Sequence, residues 1–294
     1  MRIRLLLVLI SVLLPRICSG QVAAPVWPIL VRTTMIEYGN ERGTIFAVNV
    51  DGREYWITAK HILTGAQQPP YGRVVERKVK VHLLAKGEPQ QRWVETEMTV
   101  IDTTPRIDIV VLYASSPLIP SGTPSLELST KGLGLGDECS FIGFPYGGGY
   151  RVTMRTGGTI WLPYVKHCII SALAGDNTGP AQFPDVDGLF ILDGINNPGF
   201  SGSPVLYGSG EHQRIFGVIS GFSREPMDIF SAVRGGMTNV DPPVKPPPNR
   251  QFAKNDDNVA LVNSGFIVAF SMDIALSAIR ANPNGPPVSA QNSQ

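Results

Sequence analysis

Short apolar runs separated by glycine, proline and polar clusters recur along most of this chain. Residues 44–50 and 53–58 form two such runs, and Asp51-Gly52 between them is the strongest short signal for a β-hairpin. Further strands are predicted over 78–84, 93–101 and 107–113. Together these runs predict a first antiparallel β-unit over about residues 28–115.

A second set of short apolar runs follows a stretch over 115–122 that is rich in proline, serine and glycine and is typical of a linker. Strands are predicted over 139–143, 151–155, 167–172, 189–192, 203–206, 215–222 and 266–270. Short strands between turn residues are typical of a barrel, which places a second β-unit over about residues 125–270. Ser271 as N-cap, an apolar stripe and Asn282-Pro283 as terminator predict one helix over 272–281.

Three stretches depart from this β pattern. Residues 1–20 have a basic start, an apolar core and a small-residue exit, which predict a secretory signal peptide, and the apolar core is shorter than the ~20 residues that span a bilayer. We therefore expect an exported protein, periplasmic or extracellular, with no stable membrane insertion after cleavage. Residues 240–248 carry five prolines and are predicted to form a surface loop of undetermined role. Residues 283–294 are predicted to be a disordered tail.

Composition excludes several classes of partner. The formal net charge of +1 gives no electrostatic reason to expect a nucleic-acid partner. The chain has neither a CxxC pair nor an HExxH motif, so no metal site and no cofactor are predicted. Cys139 and Cys168 remain after signal cleavage, and an exported compartment permits a disulfide between them. Two buried free thiols fit the sequence equally well, and the oligomeric state is not predicted.

The candidate chemistry lies in three segments. Ser201 stands between Gly199 and Gly202, and His61 and Asp108 precede it in the chain. A serine hydroxyl is a weak nucleophile that needs a nearby base, and histidine suits that role because its pKa lies near neutrality. A carboxylate on the other ring nitrogen orients the imidazole. The order His, Asp, Ser therefore predicts a hydrolytic triad.

Two details refine this triad. Asp102 is a rival to Asp108, but Asp108 is favoured because it leads directly into the apolar run 109–112. The glycines beside Ser201 allow a tight turn, and such a turn can gather the amides of Gly199 and Ser201 into an oxyanion hole.

The three segments resemble those of the trypsin-like serine peptidases of the chymotrypsin fold, which carry TAxH, DIxxL and GxSGxP in this order. Residues 136–147 and 197–199 look more like the bacterial HtrA/Do-like branch. The resemblance covers about residues 40–282, within a domain expected over 21–282. It implies an all-β fold of two perpendicular six-stranded antiparallel β-barrels with a short C-terminal helix and the triad in the cleft between the barrels.

The resemblance also implies roles. Ser201 would be the nucleophile, His61 the base and Asp108 its orienting group, with a protein or peptide as substrate. Phe200 stands where animal enzymes have an aspartate that binds a newly cut N-terminus, so we expect no activation of that kind. We also expect no PDZ domain and no regulation through one.

Substrate preference is predicted from two positions near the primary pocket. Ile195 lies where a preference for Lys or Arg would need an acid, and residues 218–222 resemble the strand that lines the pocket. Ile195, Ser220, Gly221 and Phe222 are therefore predicted to bind substrate, with a small or medium apolar residue before the cleaved bond. Two alternatives stay open, namely an inactive homologue that binds peptides or a partner in the same cleft, and an esterase that uses the same triad.

Overall fold

The computed structural model describes residues 27–84, 92–153, 159–174, 188–228 and 259–288. The predicted signal peptide and the proline-rich loop lie outside the described residues. No helix in these ranges is long and apolar enough to cross a membrane.

The first β-unit is a closed barrel of six antiparallel strands. These are β1 Thr33–Tyr38, β2 Glu41–Val50, β3 Arg53–Thr58, β4 Lys78–Leu84, β5 Trp93–Asp102 and β6 Val110–Tyr113, in the order β1-β2-β3-β6-β5-β4. This half also has two short helices. Helix α1 Trp27–Arg32 precedes β1, and helix α2 His61–Thr64 follows β3. Asp51 and Gly52 have φ of +49° and +73°, as the two-residue turn of the β2–β3 hairpin requires.

The second β-unit is also a closed ring of six strands. Its elements are β7 Glu127–Leu128, β8 Glu138–Gly143, β9 Tyr150–Thr153, β10 Thr159–Leu162, β11 Tyr164–Ala174, β12 Leu189–Asp193, β13 Pro204–Tyr207, β14 Arg214–Asp228, β15 Val259–Ser271 and helix α3 Met272–Ala281. The ring order is β13-β8-β11-β12-β15-β14, and pairing of β13 with β14 closes it. Strand β7 adds in parallel to β14, and β9 and β10 form a separate hairpin.

Two barrels and a C-terminal helix confirm the predicted fold class. Helix α3 has the predicted bounds, and the Ser271 hydroxyl caps it by accepting the Asp273 N–H at 3.1 Å. Strands β1, β7 and β10 were not predicted. Strand β1 follows α1 with no intervening turn residue, and its first four positions are all buried, so it lacks the alternation that marks a half-exposed strand.

A shared apolar core joins the barrels. One cluster contains Phe46 and Ile57 of the first barrel together with Val218 and Phe270 of the second. Two further clusters each belong to one barrel, one around Ile45 and the other around Phe141 and Leu192. The shared cluster therefore contains apolar side chains from both halves of the chain.

The linker between the barrels is bound by two buried charges. Glu54 accepts the N–H groups of Leu118 and Ile119 at 2.8 and 3.1 Å. Arg32 donates to the carbonyls of Thr123 and Pro124 at 2.8 and 2.9 Å. Each charged side chain thus satisfies backbone groups of the linker, residues 118–124, which is not part of a strand.

The prediction of a disordered tail over 283–294 is wrong for residues 283–288. The Glu54 N–H donates to Pro286 O at 3.0 Å, and the Val288 N–H donates to Gly52 O at 2.8 Å. Arg53 also donates to Gly285 O at 2.6 Å. This segment satisfies backbone groups at the start of β3, before the part of that strand that pairs with β6, and so packs on the first barrel. Its polar and proline-rich composition did not indicate this contact. Residues 289–294 lie outside the described residues.

Candidate active site

His61 and Asp108 meet where two strands of the first barrel end. His61 begins α2 just after β3, and Asp108 precedes β6, the neighbour of β3. Asp108 Oδ2 lies 2.7 Å from His61 Nδ1, and Oδ1 accepts the His61 backbone N–H at 2.8 Å. Because both carboxylate oxygens bind one residue, the orientation of the imidazole ring is fixed. Asp108 is fully buried and His61 is 5% exposed.

The environment of His61 shifts its pKa upward. Burial disfavours the imidazolium and lowers the pKa, but the charge of Asp108, its hydrogen bond and the more distant charge of Glu41 together outweigh burial. A proton taken up by this ring is therefore held more firmly than by a histidine in water.

Ser220 and Tyr71 complete the surroundings of the carboxylate. The Ser220 hydroxyl donates to Asp108 Oδ2 at 2.5 Å, and the Tyr71 hydroxyl lies 3.4 Å from Ser220 Oγ. Since the single proton of Ser220 is used on Asp108, Tyr71 is the donor in the second contact. Burial and the charge of Asp108 raise the pKa of Tyr71, which keeps its hydroxyl protonated.

Asp102, the rival of Asp108, has a different partner. Its Oδ1 lies 2.8 Å from Lys60 Nζ in an ion pair. The same ammonium donates to the carbonyls of Thr103 and Thr104 at 2.9 and 2.8 Å, and Lys60 is fully buried. Lys60 thus fixes the loop that leads from β5 towards Asp108, and Asp102 acts in that loop rather than at His61.

The turn that carries Ser201 fits tightly against the first barrel. Gly199 and Gly202 have φ of +99° and +83°, which favour glycine. A Cβ on Gly202 would lie 2.1 Å from Thr44 O, and one on Gly199 would lie 2.3 Å from Phe144 O. Both glycines of the motif are therefore required by backbone conformation and by contact with neighbouring backbone.

Thr44 of β2 joins this turn to the end of β8 through three hydrogen bonds. Its N–H donates to Ser201 O at 2.8 Å and its hydroxyl donates to Gly199 O at 2.8 Å. The hydroxyl oxygen also accepts the Phe144 N–H at 3.1 Å. Thr44 is fully buried, so these bonds join strand β2, the turn and the end of β8 without competition from water.

The Ser201 hydroxyl is oriented towards the second barrel. It donates to Ser220 O at 3.2 Å, and within the described part of the chain it makes no hydrogen bond with the His61 ring. The backbone amides of Gly199 and Ser201 have no hydrogen-bond acceptor among the described residues. The structure thus joins His61 to Asp108 directly, and it connects Ser201 to that pair through Ser220.

The predicted substrate-binding residues occupy different environments. Ile195 is 66% exposed, whereas Phe222 and Gly221 are half-buried. Asn196 is buried and donates to Gly221 O at 3.4 Å, which joins the segment before Ser201 to β14. Ser220 is buried against Asp108, and it offers only its carbonyl to the Ser201 side.

Cys139 and Cys168 are free, buried thiols on the paired strands β8 and β11. Their sulfur atoms are 3.0 Å apart. No group of three or more His, Cys, Asp or Glu side chains in the described ranges could hold a metal ion.

Sequence reasoning missed Thr44, Tyr71 and Asn196. Thr44 and Tyr71 bond to the candidate site from far away in the chain, and Thr44 reaches Gly199 across 155 residues. Asn196 lies near Ser201 in the chain, but its partner Gly221 lies 25 residues away. Thr44 did lie in a predicted strand, and it precedes the apolar positions of that strand. A buried threonine there is nevertheless common, and the sequence carried no signal for its partner.

Comparison with known proteins agrees with this architecture. The sequence profile of the trypsin-like peptidase domain matches residues 43–217. No curated protein sequence matches the chain significantly.

Three solved structures match this chain with TM-scores below 0.5. The HtrA-type protease AlgW with a tripeptide has 18% identity and a TM-score of 0.47, and the match covers 86% of this chain and 60% of AlgW. The active form of the Rv3671c protease from M. tuberculosis has 15% identity and a TM-score of 0.48, with 89% and 87% covered. Deg5 has 19% identity and a TM-score of 0.42, with 65% and 79% covered.

The chain thus spans less than two thirds of the AlgW structure that it matches. The profile match covers more than half of the chain and includes the segments of His61, Asp108 and Ser201. This protein belongs to the trypsin-like peptidase domain family.

Proposed function

We propose that this protein is a serine endopeptidase in which Ser201 is the nucleophile, His61 the general base and Asp108 the group that orients His61. The observation that carries the proposal is the fully buried Asp108 carboxylate, which binds both the ring and the backbone of His61. A carboxylate on Nδ1 fixes the ring tautomer, so that Nε2 is free to accept a proton.

In this mechanism the Ser201 hydroxyl exchanges its acceptor, the Ser220 carbonyl, for His61 Nε2. The proton passes to Nε2 as Oγ attacks the peptide carbonyl, and the imidazolium is stabilised by Asp108. The free amides of Gly199 and Ser201 suit the negative oxygen of the tetrahedral intermediate. Protonated His61 then donates to the leaving amine, and water hydrolyses the acyl-enzyme by the same steps.

We further propose a preference for a small or medium apolar residue before the cleaved bond. Support comes from Ile195, which offers no carboxylate to a basic side chain, and from the half-buried Phe222. A peptide-library profile dominated by Arg or Lys would contradict it.

Export to the periplasm or the medium is proposed on the signal-like residues 1–20, and N-terminal sequencing of the mature protein tests it.

The decisive experiment is labelling with a fluorophosphonate probe together with casein hydrolysis. Ser201→Ala should abolish both. Ser203→Ala is the matched control, because the Ser203 hydroxyl is buried and makes no hydrogen bond within the described residues, so its loss should leave both signals intact. Labelling that survives Ser201→Ala would refute the assigned nucleophile.

A catalytically inactive peptide-binding protein is the second candidate. The bond from Ser201 Oγ to Ser220 O, in place of one to His61, favours it. Absence of labelling together with peptide binding in the cleft would support this candidate. Cleavage of simple esters without cleavage of casein would instead indicate an esterase.

A further inference from the structure

Lys166 lies on β11, outside the candidate triad, yet its side chain reaches the segment that leads into Ser201. The ammonium donates to Ile195 O at 2.7 Å and to Asn197 Oδ1. It also lies 5.5 Å from the centroid of the Phe200 ring, within the range of a cation–π contact. Three contacts from one cation therefore fall on residues 195–200.

No carboxylate in the described ranges forms an ion pair with Lys166. Its charge is therefore compensated by the carbonyl and amide oxygens and by the ring face of this segment. Phe200 itself is fully buried and packs edge-on against Phe141, with ring centroids 5.0 Å apart. The ammonium thus contacts a buried ring that also packs against Phe141.

Asn197 contacts both Lys166 and Tyr146. Its Nδ2 donates to the Tyr146 hydroxyl at 3.1 Å, and the Tyr146 backbone N–H donates to Pro198 O at 2.6 Å. Tyr146 has φ of +54°, a left-handed conformation that is uncommon for a tyrosine. Such a conformation persists only where surrounding contacts maintain it, and the bonds to Asn197 and Pro198 are contacts of that kind.

The bond to Pro198 O determines where the Gly199 amide points. The Pro198 carbonyl and the Gly199 N–H belong to one planar trans peptide, so they point in opposite directions. A Pro198 oxygen held by Tyr146 leaves the Gly199 N–H on the opposite side, where it has no acceptor among the described residues. If the Pro198–Gly199 peptide rotated, the Pro198 carbonyl would point to the side where the Gly199 N–H now points, and the donor to an oxyanion would be lost.

We propose that Lys166 is a positioning residue that, together with Asn197 and Tyr146, holds the Pro198–Gly199 peptide with its N–H available to an oxyanion. The inference rests on the proposed peptidase function for its catalytic consequence. The structural part, an ordered segment 195–202, stands independently of activity.

The test compares Lys166→Met, which keeps the aliphatic stem and removes the ammonium, with Lys166→Arg, which restores a cation. Asn197→Ala removes the acceptor and leaves Lys166 in place. Lys131→Met on the same half of the chain is the control, since Lys131 is exposed and, among the residues that the structure describes, only its backbone makes a hydrogen bond.

Hydrogen–deuterium exchange of residues 195–203 is the first measurement. The Phe200 and Ser203 amides, which donate to Asn197 O at 3.3 Å and Phe200 O at 2.9 Å, report on the order of the turn. We expect exchange there to be faster by about tenfold or more in Lys166→Met and Asn197→Ala, and unchanged in Lys166→Arg and Lys131→Met.

Steady-state hydrolysis of a peptide is the second measurement. Loss of one oxyanion donor lowers kcat by about 10²–10³-fold, so partial disorder of that donor should lower kcat by roughly 10–100-fold, with KM changed by less than about threefold. Lys166→Arg should recover most of kcat. If Lys166→Met only lowered the stability of the protein, Lys166→Arg would not restore kcat, and faster exchange would not be confined to residues 195–203.

The outcomes separate the two proposals. Unchanged exchange in Lys166→Met overturns the positioning role, whatever the activity. Faster exchange with unchanged kcat overturns its catalytic consequence. A wild-type protein without hydrolytic activity contradicts the proposed function, and the exchange data then decide the role of Lys166 alone.

Discussion

Replacement of Thr44 by valine removes one hydroxyl that binds two backbone groups of the candidate site. Valine has nearly the same shape, so packing in the fully buried site is kept. The Gly199 carbonyl loses its donor, and the Phe144 N–H loses its acceptor. Each orphaned buried group costs ~1–3 kcal/mol, so Thr44→Val should lower the free energy of unfolding by about 2–6 kcal/mol.

The same substitution should affect catalysis more than binding. The Gly199 carbonyl lies between the two proposed oxyanion donors, the amides of Gly199 and Ser201, so a freed carbonyl lets that turn rotate. We expect kcat to fall by about 10–100-fold, with a smaller change in KM.

Urea denaturation measures the change in the free energy of unfolding, and steady-state peptide hydrolysis measures the change in kcat. Ser201→Ala gives the hydrolysis rate without the proposed nucleophile. Thr34→Val is the matched control, because the Thr34 hydroxyl makes one buried bond, to Leu84 O at 2.9 Å, away from the turn. That control should lose about 1–3 kcal/mol of stability and keep its activity. Equal stability and equal activity in the two valine variants would refute the role given to Thr44.

Three further predictions concern the base, the turn and the thiols. The raised pKa of His61 should place the acid limb of kcat/KM at higher pH than for an ordinary histidine, and Asp108→Asn should move that limb to lower pH and reduce kcat by about 10⁴-fold; a pH–rate profile checks both. In Gly202→Ala the added Cβ would lie 2.1 Å from Thr44 O, so urea denaturation should show a free energy of unfolding lower by about 2–6 kcal/mol. In the control Gly39→Ala the added Cβ meets no atom within 4 Å, and the free energy of unfolding should fall by only ~1–2 kcal/mol. The hydrogen bond to Cys139 and burial raise the pKa of Cys168, so iodoacetamide should modify the native thiols on the order of 100-fold more slowly than the unfolded ones; equal rates would contradict this.

The parts of the fold that the sequence predicted are those with a local signal. The β2–β3 hairpin follows from Asp51-Gly52, and α3 follows from the Ser271 cap. His61 and Asp108 could be singled out from sequence because each lies in a short local motif, TAxH and DIxxL, in the order that the trypsin-like peptidases share. Such patterns depend on residues within a few positions of one another.

The remaining contacts could not be predicted because their partners are distant in the chain. Lys166 has the polar character expected of an exposed strand position, and nothing near it indicates Asn197 as its partner. The separation of Asp102 from His61 depends on the buried Lys60, a residue that looks like an ordinary surface lysine in the sequence. Register and closure of the barrels decide these contacts, and both are properties of the whole fold.

The pairing of residues 285–288 with the first barrel also bears on how the protein folds. Arg53 and Gly285 are 232 positions apart, and the loop between them contains the whole second barrel. Closing so long a loop carries a large entropic cost before its contacts form, which makes this step late and slow in folding. Until then the backbone groups of residues 52–54, before the part of β3 that pairs with β6, have no partner on that side, and such an unpaired edge favours aggregation. Removal of residues 283–294 should therefore reduce the yield of folded protein more than the activity of the molecules that do fold.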